Sequence, residues 1–185
     1  MESHITKSTL RKTILQYRRL LAHDEFIKRN ENIISRLQLL VDEEDSKVIH
    51  TFLPIKRNKE VDVTPLFEKW WEQGKRIVVS QTDFKTRKMN HYFLKKETVL
   101  KNNSLGIPEP INADPAKLSD SDLILVPLLA SDKNQDRIGY GGGFYDQLLN
   151  ETKALKVGLS LSSPMDEISQ KDEWDIPLDY IISYK

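Results

Sequence analysis

The segment Asp122-Leu123-Ile124-Leu125-Val126-Pro127-Leu128-Leu129 is the most apolar in the chain, and it restricts the fold more than any other. Polar and apolar residues do not alternate along it, so a strand made from it is buried on both faces. Such a strand belongs in the interior of a parallel sheet. Parallel strands need long crossover connections, usually helical, with helices over both sheet faces.

The flanking sequence supplies those helices. Thr6 to Ala22 predicts one, with Leu10, Ile14, Tyr17 and Leu21 at helical spacing and Thr6 or Ser8 as the cap. Asp24 to Val41 predicts a second, striped by Phe26, Ile33, Ile34, Leu37 and Leu40 and ended by a solvated acidic run, Asp42 to Asp45. Lys47 to Leu53 reads as a strand stopped by Pro54, and Lys56 to Glu60 as a charged loop. Thr64-Pro65 opens a third helix, with Thr64 as its cap, and Gly74 closes it. Further strands are expected at Ile77 to Val79, Asn90 to Leu94, Thr98 to Leu100, Lys156 to Leu159 and Tyr180 to Ile182. The two prolines in Gly106-Ile107-Pro108-Glu109-Pro110 argue against regular structure there. The alternation gives an α/β fold: one domain over 1–185 with an N-terminal helical segment. Its mostly parallel central sheet is flanked by helices in a Rossmann-like, three-layer arrangement.

Charge narrows the partners. Lys and Arg total 28, as do Asp and Glu, so the net charge is zero and no global basic field gathers nucleic acid. The absence of cysteine excludes disulfides, thiol nucleophiles and cysteine-ligated zinc. No apolar run reaches the ~18 residues of a membrane span, and Met1 to Lys7 lacks the apolar core of a leader. A cytoplasmic protein with no membrane partner is expected. His4, His23, His50 and His91 have no metal-like spacing, Trp70 and Trp71 read as packing, and no G-x-S-x-G elbow is present.

The chemistry-bearing feature follows the buried strand. Gly139, Gly141, Gly142 and Gly143 fall within five residues, ahead of a predicted helix to about Asn150. Glycine admits positive φ and lets a phosphate approach backbone N–H groups closely. Arg137 adds a planar fork suited to phosphate, and Asp146 a hard oxygen ligand suited to magnesium. The loop is neither a Walker A motif nor a dinucleotide fingerprint. On residues alone, a plain glycine turn capping a helix is the alternative.

The chain resembles the 5-formyltetrahydrofolate cyclo-ligase family over nearly its whole length. The resemblance rests on Lys7-Ser8-Thr9-Leu10-Arg11, Phe52-Leu53, Glu60 to Thr64, Gly106 to Pro110, the strand from Asp122 to Pro127 leading to Asp132, the loop Arg137 to Asp146, and Asp175 to Asp179, in that order. It implies magnesium and ATP as cosubstrate, and conversion of 5-formyltetrahydrofolate to 5,10-methenyltetrahydrofolate with release of ADP and phosphate. By position, it implies ATP binding by Lys7, Ser8, Thr9, Leu10 and Arg11, and by Arg137, Ile138, Gly139, Tyr140, Gly141, Gly142, Gly143, Phe144 and Tyr145. Arg137 and Tyr145 are the implied catalytic residues. Leu53, Glu60, Tyr140, Gly141, Gly142, Gly143 and Phe144 would contact folate, and Asp146 and Asp175 would hold the metal. The implied partners are small molecules only, and a monomer is expected. The chain departs from the family pattern at Gly142, where a lysine is common, and at Ser131, Gln135 and Trp174. A non-catalytic folate- or nucleotide-binding module, or a related ATP-dependent ligase for another substrate, are the other readings.

Overall fold

A computed structural model describes residues 6–168 and 175–184. His4 and Trp174 lie outside the described residues. Helix α1 (Lys7–Leu20) begins where Thr6 Oγ1 accepts the Thr9 N–H at 3.2 Å, which makes Thr6 its cap. Helix α2 (His23–Glu43) buries Ile33, Leu37 and Val41. Strand β1 (Val48–His50) is shorter than its apolar run, because the chain leaves the sheet ahead of Pro54. A 3-10 turn (Thr64–Leu66) leads into α3 (Phe67–Glu72). Thr64 is not the cap there: the carboxylate of Asp62 accepts both its N–H, at 3.0 Å, and its hydroxyl, at 2.6 Å. Gly74, at φ +71°, closes the helix as expected.

Strands β2 (Arg76–Asp83) and β3 (Lys88–Leu94) form an antiparallel hairpin much longer than the three-residue strand read at Ile77 to Val79. Strands β4 (Val99–Asn102) and β5 (Pro108–Ile111) pair as a separate ribbon, so Gly106 to Pro110 is partly regular after all. A two-stranded ribbon has two open edges, where a proline's missing N–H costs no ladder bond. Then come β6 (Leu123–Pro127), the short hairpin β7 (Ala130–Ser131) and β8 (Arg137–Ile138), α4 (Phe144–Asn150), β9 (Leu155–Ser160) and β10 (Tyr180–Ser183). The β7–β8 turn is organised by Asp132, whose carboxylate accepts the N–H groups of Asn134, Asp136 and Ile168, each at 2.9 Å. Gln135 sits in that turn at φ +68°, a conformation glycine adopts more readily.

The central sheet runs β10-β9-β6-β1-β2-β3, and only its edge strand β3 is antiparallel. Every residue of β6 is buried, as its composition requires. Leu123 and Leu125 pack with Ile33, Leu37 and Trp70 from α2 and α3, while Ile124 and Val126 pack with Leu148 and Leu149 of α4. Those two faces make the three-layer α/β fold. Helix α1 sits apart from both, laying Leu10, Ile14 and Leu15 on Leu129, Ala130 and Ile138. That docking brings α1 to the carboxyl ends of the central strands, where open α/β sheets place their ligands.

Candidate active site

A cleft of about 410 Å³ opens at those strand ends. Lys7 and Arg11 enter it from α1, one helical turn apart. The segment after β1 contributes Leu53 and Glu60, and the glycine loop contributes Arg137 and Gly139 through Asp146. Asp175 reaches it from the segment preceding β10. Residues widely separated in sequence and expected to bind ligand therefore share one cavity. Four do not line it: Ser8 and Thr9 are exposed on α1, and Leu10 and Ile138 pack together in the apolar contact beneath the helix.

The loop's glycines have separate reasons. Gly141 and Gly143 take φ of +86° and +72°. A Cβ on Gly141 would also stand 3.2 Å from the guanidinium of Arg11, whose Nε donates to Gly139 O at 3.0 Å. Gly142 is a matter of space: a Cβ there would lie 2.8 Å from the ring of Phe144. That ring meets Phe84 edge-on, with centroids 5.6 Å apart. Arg87, from the same hairpin turn as Phe84, donates to Gly142 O at 2.9 Å.

Two ion pairs flank the loop. Arg137 pairs with Asp146 and also donates to the Ile176 carbonyl, while Lys7 Nζ lies 2.8 Å from Asp175. Burial raises the Asp146 carboxyl above its ordinary range and the charge of Asp175 adds to this, while Arg137 opposes it. The two carboxylates thus sense each other across the cleft. Among the described residues no group of three or more His, Asp or Glu side chains is placed to hold a metal.

The deep wall holds a second polar group. Glu60 is 4% exposed and accepts the Ile55 N–H at 2.6 Å. Burial pushes its carboxyl up, against the pull of that N–H, Tyr140 and Arg18. Tyr140 is partly exposed while its hydroxyl meets Glu60 and Asn58; burial and Glu60 both push that hydroxyl up. Burial also raises the Tyr145 hydroxyl. Arg18 is 2% exposed, and its Nη2 donates to the carbonyls of Leu128, at 2.5 Å, and Leu129, at 3.1 Å. It thereby ties α1 to the end of β6 beside Glu60. Nothing in the sequence around Arg18 separates it from the other basic residues of α1. Ser80 and Thr82 of β2, and Phe84 of the turn that follows it, also line the cleft; the alternation of Ser80 and Thr82 along the strand is the signal that finds those two.

A model of the 5-formyltetrahydrofolate cyclo-ligase family matches residues 3–184. The 5-formyltetrahydrofolate cyclo-ligase of Escherichia coli K12 is 28% identical over 176 residues, covering 92% of this chain and 96% of that one. The Haemophilus influenzae protein of the same name is 33% identical over 128 residues, 64% of this chain and 67% of that one. The NMR structure of Aquifex aeolicus 5,10-methenyltetrahydrofolate synthetase superposes with a TM-score of 0.81 at 34% identity, covering 96% of this chain and 89% of that one. The corresponding Mycoplasma pneumoniae structure gives 0.74 at 26% identity, covering 95% and 97%. With Lys7, Arg11, Glu60, Arg137 and the glycine loop brought to one cleft and the family model matched over residues 3–184, this chain belongs to the 5-formyltetrahydrofolate cyclo-ligase family of enzymes.

Proposed function

We propose that this chain converts 5-formyltetrahydrofolate to 5,10-methenyltetrahydrofolate in the cleft, consuming ATP with magnesium and releasing ADP and phosphate. One observation carries the proposal: the glycine loop with its cations and the buried Glu60–Tyr140 group face the same cavity. The first suits a triphosphate. The second suits the donor-rich edge of a reduced pterin, since a carboxylate accepts N–H groups in pairs. Leu53 and Phe144 supply apolar walls between them. We take the enzyme to act as a monomer, with Lys7 and Asp175, paired in the cleft, drawing both ends of 1–185 into one domain.

The chemistry follows from the leaving group. A formamide oxygen departs poorly, and transfer of the γ-phosphoryl group to it makes it part of a phosphate ester that departs well. N10 then closes on the activated carbon and phosphate leaves. Arg137, Arg11 and Lys7 neutralise the charge spread over the transferring phosphoryl group, and the loop N–H groups orient it. Tyr145, whose hydroxyl burial keeps protonated, has a proton to donate in the cleft. The all-oxygen pair Asp146 and Asp175 fits magnesium, which takes one or two protein carboxylates and fills its other positions with phosphate oxygens and water. Magnesium, when bound, supplies further charge neutralisation on the phosphates.

The test is formation of the methenyl product, followed by absorbance, with and without ATP and magnesium. Asp146→Asn should lower turnover at least ~100-fold while the protein still melts cooperatively. Absence of product from the wild type under saturating substrates overturns the proposal, and full turnover in D146N removes Asp146 from it.

A further inference from the structure

The sheet face on the α4 side carries three polar groups that this chemistry leaves unused: His50 on β1, Ser80 on β2 and His91 on β3. Ser80 stands directly opposite His91 in the β2–β3 register. Ser80 Oγ lies 2.8 Å from His50 Nε2 and 2.9 Å from His91 Nδ1, and the two ring nitrogens are 3.2 Å apart. His50 is fully buried, and its Nδ1 has no partner. A bare lone pair there costs less than a stranded N–H, which puts the proton of His50 on Nε2, donating to Ser80. Ser80 has one hydrogen, and it goes to His91 Nδ1. The resting proton of His91 is then on Nε2. Ser80 Oγ keeps one lone pair, and Ser80 lines the main cleft. His91 lines a second cavity, of about 180 Å³, that shares Met89 and Phe144 with the first.

We infer that Ser80 and His91 form a proton path out of the cleft, taking up the N10 proton that ring closure releases. This rests on the reaction proposed above. The C–N10 bond forms as the C–O bond to phosphate breaks. The N10 proton passes to Ser80 Oγ while the hydroxyl proton of Ser80 passes to His91 Nδ1. The imidazolium so formed gives up the proton on Nε2, the nitrogen left for the second cavity. Other basic groups of the cleft are engaged: Glu60 by the Ile55 N–H, Asp146 by Arg137, and Asp175 by Lys7. Burial disfavours the charged ring of His91, an effect Glu151 opposes, so the ring rests neutral and its Nδ1, bonded to Ser80 Oγ, can take a proton. The charged or titratable groups around it are His50 on β1, Lys88 on its own strand and Glu151, the residue after α4. Ser80 would touch the substrate; His91 acts through it.

The experiment compares Ser80→Ala, His91→Ala and His91→Gln with wild type at saturating ATP and 5-formyltetrahydrofolate. Both alanine variants should lose ~100-fold in kcat with KM nearly unchanged, as for loss of a general base. Added imidazole, entering the second cavity, should restore turnover to H91A and not to S80A. Alanine variants within about two-fold of wild type overturn the inference, and so does a loss in H91A that imidazole does not repair. Should H91A not fold, H91Q decides. Its side chain fills the space without titrating, so the acid-side fall in kcat that His91 imposes should vanish, and retention of the wild-type acid limb overturns the path. Unchanged variants in a working enzyme count against the path alone, whereas a wild type that forms no methenyl product overturns the reaction and the path with it.

Discussion

Arg11 on α1 donates through Nε to the carbonyl oxygen of Gly139, 128 positions later, at 3.0 Å. This bond fixes one end of the glycine loop and leaves the other N–H groups of the guanidinium to the cleft that Arg11 lines. Lysine cannot reproduce both roles, having a point charge in place of a planar fork. Arg11→Lys should therefore raise KM for ATP about 10-fold, the worth of roughly 1.5 kcal/mol for a charge-assisted hydrogen bond. Titration of ATP in the steady-state assay checks this, and an unchanged KM removes Arg11 from phosphate binding.

Gly142 and Phe144 should behave as a coupled pair. A methyl group on Gly142 pushes the Phe144 ring away from Phe84, whose edge contact is worth about 1 kcal/mol. Gly142→Ala alone should destabilise by roughly that amount, and should cost nearly nothing when Phe144 is already alanine. A urea-unfolding double-mutant cycle measures the coupling; additive effects would place the constraint elsewhere.

Arg18→Met should cost about 3 kcal/mol of stability, because it strands the carbonyls of Leu128 and Leu129 and removes a cation beside buried Glu60. Glu60→Gln should recover at least ~1 kcal/mol of that loss when combined with it. If the two changes add independently, the charge of Glu60 does not depend on Arg18.

Burial lowers the pKa of His50 from 6.5 to about 3, and neighbouring His91 adds to the effect. Between those values the unfolded chain binds a proton that the folded chain does not, so this contribution to stability is complete above the upper value and is lost as pH falls towards the lower one. The slope approaches ~1.4 kcal/mol per pH unit. His50→Gln should flatten the acid-side decline by that share, as read from unfolding free energies across the acidic range. Parallel curves would mean that His50 is charged in the folded protein.

The features that can be read from sequence are those whose cause is local. β6 announces itself because burial on both faces leaves an unbroken apolar run. Thr6 as a cap and Gly74 as a terminator act within a few residues of themselves. The glycine loop with Arg137 and Asp146 is equally legible, since that ion pair spans only nine positions.

What sequence hides depends on distant partners. β2 continues through Ser80, Gln81 and Thr82 because β3 pairs with it, and those residues read as polar because one face borders the cleft. β5 accepts prolines because its ribbon has open edges. Arg18 meets its carbonyls 110 and 111 positions away. Ser8, Thr9 and Leu10 show the converse: they sit between Lys7 and Arg11 in sequence but on other faces of the helix.

The ion pair between Lys7 and Asp175 has a consequence for biosynthesis. Its partners are 168 positions apart, so at ~5–20 residues per second a ribosome needs roughly 10–30 s to place the second after the first. Over the last part of that interval, the 29 positions from Asp146 to Asp175, the nascent chain has Arg137 and the glycine loop but lacks the carboxylate that holds Lys7. On the proposed function, ATP can therefore lend its binding energy to folding only once Asp175 has been made.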